Sequence, residues 1–207
     1  MLNNKEILNY FSWKTKFDST VIVDNCVYPN NYNVSISFIP KTDNISLQNI
    51  GFERFRYLFH ILCENAVIFS PKDKTQSVWF KMPVNKVLLP GSPYDQLLGV
   101  CLFRKIHNIA GDFFHLGQLM IDSKLGDRVQ YTVDNESFEN KHLEVKEWVD
   151  SEINPWWNRN DTATFDQRID AKTIWTGAKT WKELGYEPTD NKSKSFTPTV
   201  IDGGREK

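Results

Sequence analysis

The stretch LLPGSPYDQLLGVCLF, residues 88–103, opens the part of the chain that decides the fold. Ser92 can accept a hydrogen bond from a free backbone N–H of a first helical turn. Pro93 suits the next position, and Asp95 lies at the favourable end of the helix dipole. Apolar residues then cover nearly the whole circumference, which is typical of a buried helix. The sequence therefore predicts a capped, buried helix that runs to about residue 110.

A β-hairpin is predicted directly after this helix. Gly111 can end the helix in a left-handed conformation. Residues 114–121 and 129–133 then flank the turn Lys124-Leu125-Gly126-Asp127, and alternation with period 2 on both sides of a glycine-containing turn is the usual hairpin signal. The first strand is apolar on both faces, so it should lie deeper in the sheet than the second.

Two further hairpins are predicted upstream. The first joins Val21–Tyr28 to Tyr32–Ile39 through Pro29-Asn30-Asn31. The second is built on residues 66–82, with its turn at residues 71–74. In the first hairpin, apolar residues alternate with polar ones, which indicates strands with one buried face. In the second, Val78, Phe80 and Met82 alternate with Ser77, Trp79 and Lys81.

A second helix is predicted from a cap at Asn49 to Glu64, because its apolar residues recur at helical spacing. Arg54 on this helix and Lys105 on the later one are expected to keep their charged ends in water. Hairpins alternating with helices indicate an α+β fold, with an antiparallel sheet of three hairpins and two helices packed on one face. We expect a single α+β domain over residues 1–150, an extended Trp-rich C-terminal arm over 151–187 and a mobile polar tail over 188–207.

Composition sets limits on the function. The 207 residues carry a formal net charge of −1, so no overall attraction to nucleic acid or to an anionic membrane is expected. The sequence contains neither a run of about 20 apolar residues nor a signal peptide, which predicts a cytoplasmic protein with no transmembrane segment. Three widely spaced cysteines, each among apolar residues, indicate buried free thiols.

The predicted arm is unusual in composition. Aliphatic residues become sparse after residue 151, whereas tryptophan becomes frequent. One tryptophan buries a large apolar area with few rotatable bonds, so the residue is common in protein interfaces. We expect the arm to dock into an apolar groove on its own domain, on a second copy or on a protein partner. The candidate partner-binding residues are Trp156, Trp157, Trp175 and Trp181.

A candidate metal site lies at the end of the predicted central helix. His107, Asp112 and His115 are close in sequence, and two imidazoles with a carboxylate can hold a divalent metal. The alternative is structural, with a histidine near the negative end of a helix dipole and another on a strand edge. No rigid ligand spacing, nucleophile elbow or phosphate loop occurs, so no catalytic residue and no cofactor is predicted.

A lysine cluster offers a second alternative. Lys72, Lys74 and Lys81 lie around Trp79 in the second predicted hairpin. A sheet face with lysines and an exposed aromatic ring can stack single-stranded nucleic acid. Lysines are also the ordinary protection of an edge strand against aggregation.

Three segments resemble conserved proteins of unknown function from T4-like bacteriophages, especially those of marine hosts. They are GFERFRY at 51–57, LPGSPYDQL at 89–97 and SKLGD at 123–127, and the resemblance covers residues 20–135. It implies a phage protein made in a bacterial host cytoplasm and brings no catalytic residues. We therefore expect a non-enzymatic, bacteriophage-type binding or assembly protein that acts through protein–protein contacts. The alternatives are a single-stranded nucleic-acid-binding protein and a small metal-dependent enzyme.

Overall fold

A six-stranded mixed sheet forms the centre of the protein. In the computed structural model, the described residues are 11–134, 155–168, 174–175 and 177–188. The strands are β1 Phe11–Val23, β2 Cys26–Pro40, β3 Ala66–Phe69, β4 Lys86–Leu88, β5 Phe114–Ser123 and β6 Tyr131–Asp134. Their order in the sheet is β4-β3-β1-β2-β5-β6. The α+β class is confirmed, but β3 runs parallel to both β1 and β4, so the prediction of a purely antiparallel sheet was wrong.

The β1–β2 hairpin exists, but its turn lies earlier than predicted. The two strands pair from Phe11–Phe38 to Val23–Cys26. The turn residues Asp24 and Asn25 have φ values of 52° and 63°, the pattern of a type I′ turn. Pro29 is therefore inside β2, beyond the last pair that β2 makes with β5, where a missing N–H breaks no hydrogen bond to β5.

The prediction of a second hairpin was wrong, because a helix separates the two strands. Residues Gln76–Lys81 form the short helix α2, and β4 follows as a parallel neighbour of β3. The Asp73 carboxylate accepts from the Thr75 backbone N–H at 2.7 Å just before the helix. Parallel strands need such a crossover, whereas antiparallel strands can be joined by a tight turn.

Two long helices pack on one face of the sheet. Helix α1 spans Ile45–Tyr57 and continues as a π-helical segment, Leu58–Cys63, and helix α3 spans Asp95–Ala110. A Cβ on Gly99 of α3 would lie 2.9 Å from Ile121 Cγ2 of β5, which shows how closely this helix approaches the sheet. Both helices bury their apolar residues as expected, including Phe55 and Phe59 on the first and Leu98 and Leu102 on α3.

The helix ends differ from the predicted caps. Helix α1 begins after Asn44, whose side-chain oxygen accepts from the Ser46 and Leu47 N–H groups, so the predicted cap at Asn49 was wrong. Helix α3 begins after Tyr94, and the carbonyl of Ser92 accepts from Tyr94 N–H in a preceding turn. Gly111 has a φ of −62°, so it is not in the predicted left-handed conformation.

A smaller core lies on the opposite face. Ile22, Val67, Phe69 and Leu88 are buried there, with Trp79 and Phe80 of α2 packed against them. Helix α2 therefore covers this face at the β3–β4 end of the sheet. The two predicted helices do pack on one face, and α2, which was not predicted, lies on the other.

Two cations predicted at the surface are buried. The Arg54 guanidinium donates to the carbonyls of Ile109 and Tyr186. The Lys105 ammonium donates to the carbonyls of Trp156 and Arg159. The charges stay paired with acceptors inside the protein, as a buried charge requires. Both cations thus attach C-terminal residues to the helix layer.

Four of the described C-terminal residues, Trp156, Trp157, Ala163 and Trp181, are buried in the main core. The described C-terminal elements are the 3₁₀ turn Trp156–Asn158 and the paired short strands β7 Gln167–Arg168 and β8 Ile174–Trp175. Residues 1–10, 135–154, 169–173, 176 and 189–207 lie outside the described residues, and so do parts of the predicted domain, arm and tail. Within the described ranges, none of the helices combines the length and apolar character needed to cross a membrane.

Candidate functional site

The sheet face opposite α1 and α3 carries a group of polar side chains. On β1 and β2, Phe17 pairs with Tyr32, and both face the helices and the main core. Because side chains alternate along a strand, the neighbouring residues point to the other face. That face presents Lys14, Lys16 and Asp18 of β1, Asn31, Asn33 and Ser35 of β2, and Met120 and Asp122 of β5. We call this surface the open face.

Four side chains of the open face and Arg128 of the loop after β5 form one hydrogen-bonded network. Asn31 Nδ2 donates to Asp18 Oδ1 at 2.6 Å, and Arg128 Nη2 donates to Asn31 Oδ1 at 2.9 Å. Arg128 Nη1 and Asn33 Nδ2 both donate to Asp122 Oδ1, at 3.1 and 2.9 Å. The network joins three strands to the loop that follows β5, so its groups are held in place before any ligand arrives.

The loop between β5 and β6, residues 124–130, is fixed by its backbone. Every N–H from Lys124 to Val129 donates to an acceptor within the protein. The acceptors, in order, are Asn31 O, Asn30 Oδ1, Ser123 Oγ, Lys124 O, Ser123 O and Gly126 O. The predicted turn position is confirmed, and we call these seven residues the 124–130 turn.

Two residues of the 124–130 turn have left-handed backbone conformations. Asp127 has a φ of 51° and Arg128 a φ of 60°. Aspartate adopts this region fairly often, whereas arginine does so seldom, and such a conformation persists when surrounding contacts compensate for it. The bonds from the Arg128 guanidinium to Asp122 and Asn31 supply that compensation.

The turn also packs against the beginning of α3. A Cβ on Gly126 would lie 2.5 Å from Asp95 Oδ2, so no larger residue fits without movement. Burial raises the pKa of the Asp95 carboxyl, with a smaller contribution from Asp122. Hydrogen bonding by Ser123 and the charge of Arg128 act in the opposite direction. The turn is thus held from the sheet on one side and from the helix on the other.

Apolar side chains of this rigid turn face solvent. Leu125 is 47% exposed and Val129 is 55% exposed. Tyr94, next to Asp95, and Tyr131, the first residue of β6, are also exposed. Exposed apolar groups that lie together commonly mark a surface for protein contact, and tyrosine is frequent at the centre of such surfaces.

Two cavities lie beside the network. One has a volume of about 490 Å³ and is lined by Lys14, Thr15, Lys16, Asn33, Val34, Ser35, Met120, Asp122 and Gln130. The other has a volume of about 410 Å³ and is lined by Asp18, Ser19, Thr20, Pro29, Asn30, Asn31, Asn65 and Lys124. Both volumes are in the range of ligand-binding clefts. Each cavity is bordered by members of the same network.

The predicted metal ligands do not form a metal site. His107 lies near the end of α3, Asp112 in the following turn and His115 on β5, and all three are exposed. Within the described ranges, no group of three or more His, Cys, Asp or Glu side chains is placed to hold a metal ion. Closeness in sequence did not bring these three side chains together.

The three cysteines are free thiols, as predicted. Cys63 and Cys101 are buried, and burial raises the pKa of both thiols, that of Cys63 to about 12. Cys26 is exposed beside the β1–β2 turn, which corrects the prediction that all three are buried. The two buried thiols are therefore protonated and poorly nucleophilic at neutral pH.

The predicted nucleic-acid residues do not share a sheet face. Trp79 and Lys81 belong to α2, while Lys72 and Lys74 are in the loop before it. The Trp79 ring is half-buried against the smaller core, and its N–H donates to Thr75 Oγ1 at 2.8 Å. The ring is not the exposed stacking platform that the prediction required.

Three of the four candidate partner-binding tryptophans are inside the protein. Trp156, Trp157 and Trp181 have at most 1% of their surface exposed and belong to the main core. Trp156 also donates its indole N–H to the Leu88 carbonyl at 2.7 Å. The side chain of Trp175 lies outside the described residues. A partner-binding role for these four residues stays a prediction.

The sequence predicted the turn but not the exposed apolar surface that it carries. Leu125 and Val129 are apolar where turn residues are normally polar, and this was the available signal. The network could not be seen in the sequence, because Asn31 and Arg128 are 97 residues apart.

Comparison with known proteins supplies no function. No protein family and no curated protein matches this chain. Among solved structures, it is similar to the uncharacterized protein WS1659 from Wolinella succinogenes, with a TM-score of 0.41 and 11% sequence identity. That similarity covers 61% of this chain and 98% of the other. The function is therefore argued from the geometry of the site.

Proposed function

We propose that this chain is a non-enzymatic binding protein that acts through protein–protein contacts, with the 124–130 turn at the centre of the contact. The main observation is that every backbone N–H from Lys124 to Val129 donates a hydrogen bond, while the Leu125 and Val129 side chains are exposed. A loop fixed in this way loses little conformational freedom when a partner binds.

The resemblance to proteins of T4-like phages supports a partner of phage or bacterial origin and a role in assembly. The segment SKLGD, residues 123–127, is one of the three segments that carry this resemblance, and it contains the first half of the turn. The proposed contact surface and the resemblance thus share residues 124–127, including Leu125.

The test compares two double variants in affinity capture from the producing cell. Leu125→Asp with Val129→Asp places two charges on the turn. Ile61→Asp with Val78→Asp places the same charges on side chains that are 51% and 55% exposed elsewhere on the surface. We expect the turn variant to lose the specifically captured protein and the control variant to retain it.

Unfolding curves confirm that both variants are folded before capture is scored. Equal capture by the two variants would contradict the proposed contact surface. Loss in both would indicate a general effect of charge and would also count against it.

A further inference from the structure

We infer that the open face binds an extended, acidic polypeptide segment that runs along β1 and β2. This inference rests on the proposed function, because it names the chemistry of the protein partner. Three observations support the inference: the charges at the open face, the length of the surface and the composition of the two cavities.

Three lysines at the two cavities are available to a ligand, and of the two carboxylates on the open face, Asp122 forms an ion pair with Arg128. Lys14 and Lys16 are exposed at the first cavity, Lys124 is exposed at the second, and no ion pair involves them within the described ranges. The two carboxylates of the same face, Asp18 and Asp122, accept hydrogen bonds from the network. A carboxylate-bearing partner therefore meets three free ammonium groups.

The surface has the length of a short extended peptide. The first cavity includes Lys14 and the second includes Thr20 on the same strand. With about 3.3 Å per residue along a strand, these positions are roughly 20 Å apart. A partner segment of about six residues in extended conformation spans this distance and passes over the network.

The cavity composition favours polypeptide over single-stranded nucleic acid. None of the described residues lining either cavity is aromatic. Proteins that bind single strands without sequence preference stack bases on aromatic rings, and such rings are missing from this lining. The amides of Asn65 and Gln130 and the hydroxyl of Thr20 instead offer donors and acceptors that suit peptide groups.

Fluorescence anisotropy with labelled probes tests the inference on the full chain. One probe is a peptide of alternating Glu and Ser, about twelve residues long, and its neutral match is alternating Gln and Ser. The third probe is oligothymidylate of about twelve nucleotides. We expect the acidic peptide to bind most tightly and to weaken as salt is raised.

A charge-reversal pair with a matched control locates the site. Lys14→Glu with Lys16→Glu should weaken binding of the acidic peptide by about tenfold or more. Lys72→Glu with Lys74→Glu changes the net charge by the same amount at exposed positions outside both cavities, and should leave the affinity nearly unchanged.

Three results would overturn the inference. They are the absence of acidic-peptide binding, equal loss in both lysine variants, and tighter binding of oligothymidylate that the Lys14 and Lys16 changes abolish. The last would identify the ligand as nucleic acid. Loss of capture by the turn variant without peptide binding would leave the proposed function standing alone. Peptide binding with unchanged capture would support the open face as a peptide site and contradict the turn as the centre of the protein contact.

Discussion

Lys105 is fully buried, and its titration tests how the C-terminal residues are held. Its ammonium lies 3.0 Å from Trp156 O, 2.9 Å from Arg159 O and 3.4 Å from Asp161 Oδ1. Burial lowers the pKa of Lys105 from 10.5 to about 8, although Asp161 acts in the opposite direction. Because one pKa unit is 1.36 kcal/mol, the buried charge destabilises the fold by about 3 kcal/mol at neutral pH.

The sign of the pH dependence follows from the lowered pKa. Below about pH 8, the folded and unfolded states both hold the proton, so the full destabilisation is present. As the pH rises toward 10.5, the folded state loses its proton first, and the protein becomes more stable. The free energy of unfolding of the wild type, taken relative to a Lys105→Met variant, should rise by about 2 kcal/mol between about pH 7.5 and about pH 10.

Urea denaturation of both proteins, followed by tryptophan fluorescence, measures this difference. Subtracting the Lys105→Met variant removes the titrations of tyrosine and cysteine, which the two proteins share. A difference that stays constant over this pH range would show that Lys105 does not titrate in the folded protein with a lowered pKa, and would refute the reasoning. A difference that falls with pH would refute it as well.

Three further changes test other parts of the fold. Gly51→Ala should lower the free energy of unfolding by about 1–3 kcal/mol in urea denaturation, because its Cβ would lie 2.6 Å from Phe114 Cε2. Arg54→Met leaves the carbonyls of Ile109 and Tyr186 without their donors, which should cost about 1–3 kcal/mol for each carbonyl. Faster tryptic cleavage within residues 177–188 reports this loss. Asp95→Asn should gain stability relative to the wild type as the pH rises from about 3 to about 7, since burial raises the pKa of Asp95 and the wild type alone then carries the penalised charge. Thermal melts of the two proteins at acid and neutral pH check the direction of this change in relative stability.

The parts of the fold that depend on local signals could be predicted from the sequence. The apolar run of α3 and the glycine-containing turn after β5 each occur within a few residues. The β1–β2 turn could not be placed, because Asp24-Asn25 and Pro29-Asn30-Asn31 are both turn signals. Pro29 lies inside a strand because it pairs with Thr20 of β1, while β5 pairs with β2 only from Tyr32 onward.

The parallel part of the sheet was missed for a different reason. Strands β3 and β4 contain four and three residues, and such short strands carry little alternation. Residues 77–82 do alternate, yet α2 forms there, and exposed Val78 and Met82 show that the alternation did not reflect a buried sheet face. Tertiary packing decided the local structure in this region.

The comparison of buried and exposed side chains favours the 124–130 turn over the tryptophans as the partner contact. A tryptophan brings on the order of 150–250 Å² out of water when it is buried, worth several kcal/mol at about 25 cal/mol per Å². Trp156, Trp157 and Trp181 are already buried within the chain, so this stabilisation would be lost before any of them could contact a partner. Leu125 and Val129 are already exposed on a fixed backbone, and burying them against a partner adds apolar contact without undoing any. Contact through the turn therefore lowers the free energy directly, whereas contact through the tryptophans would first require their unpacking from the core.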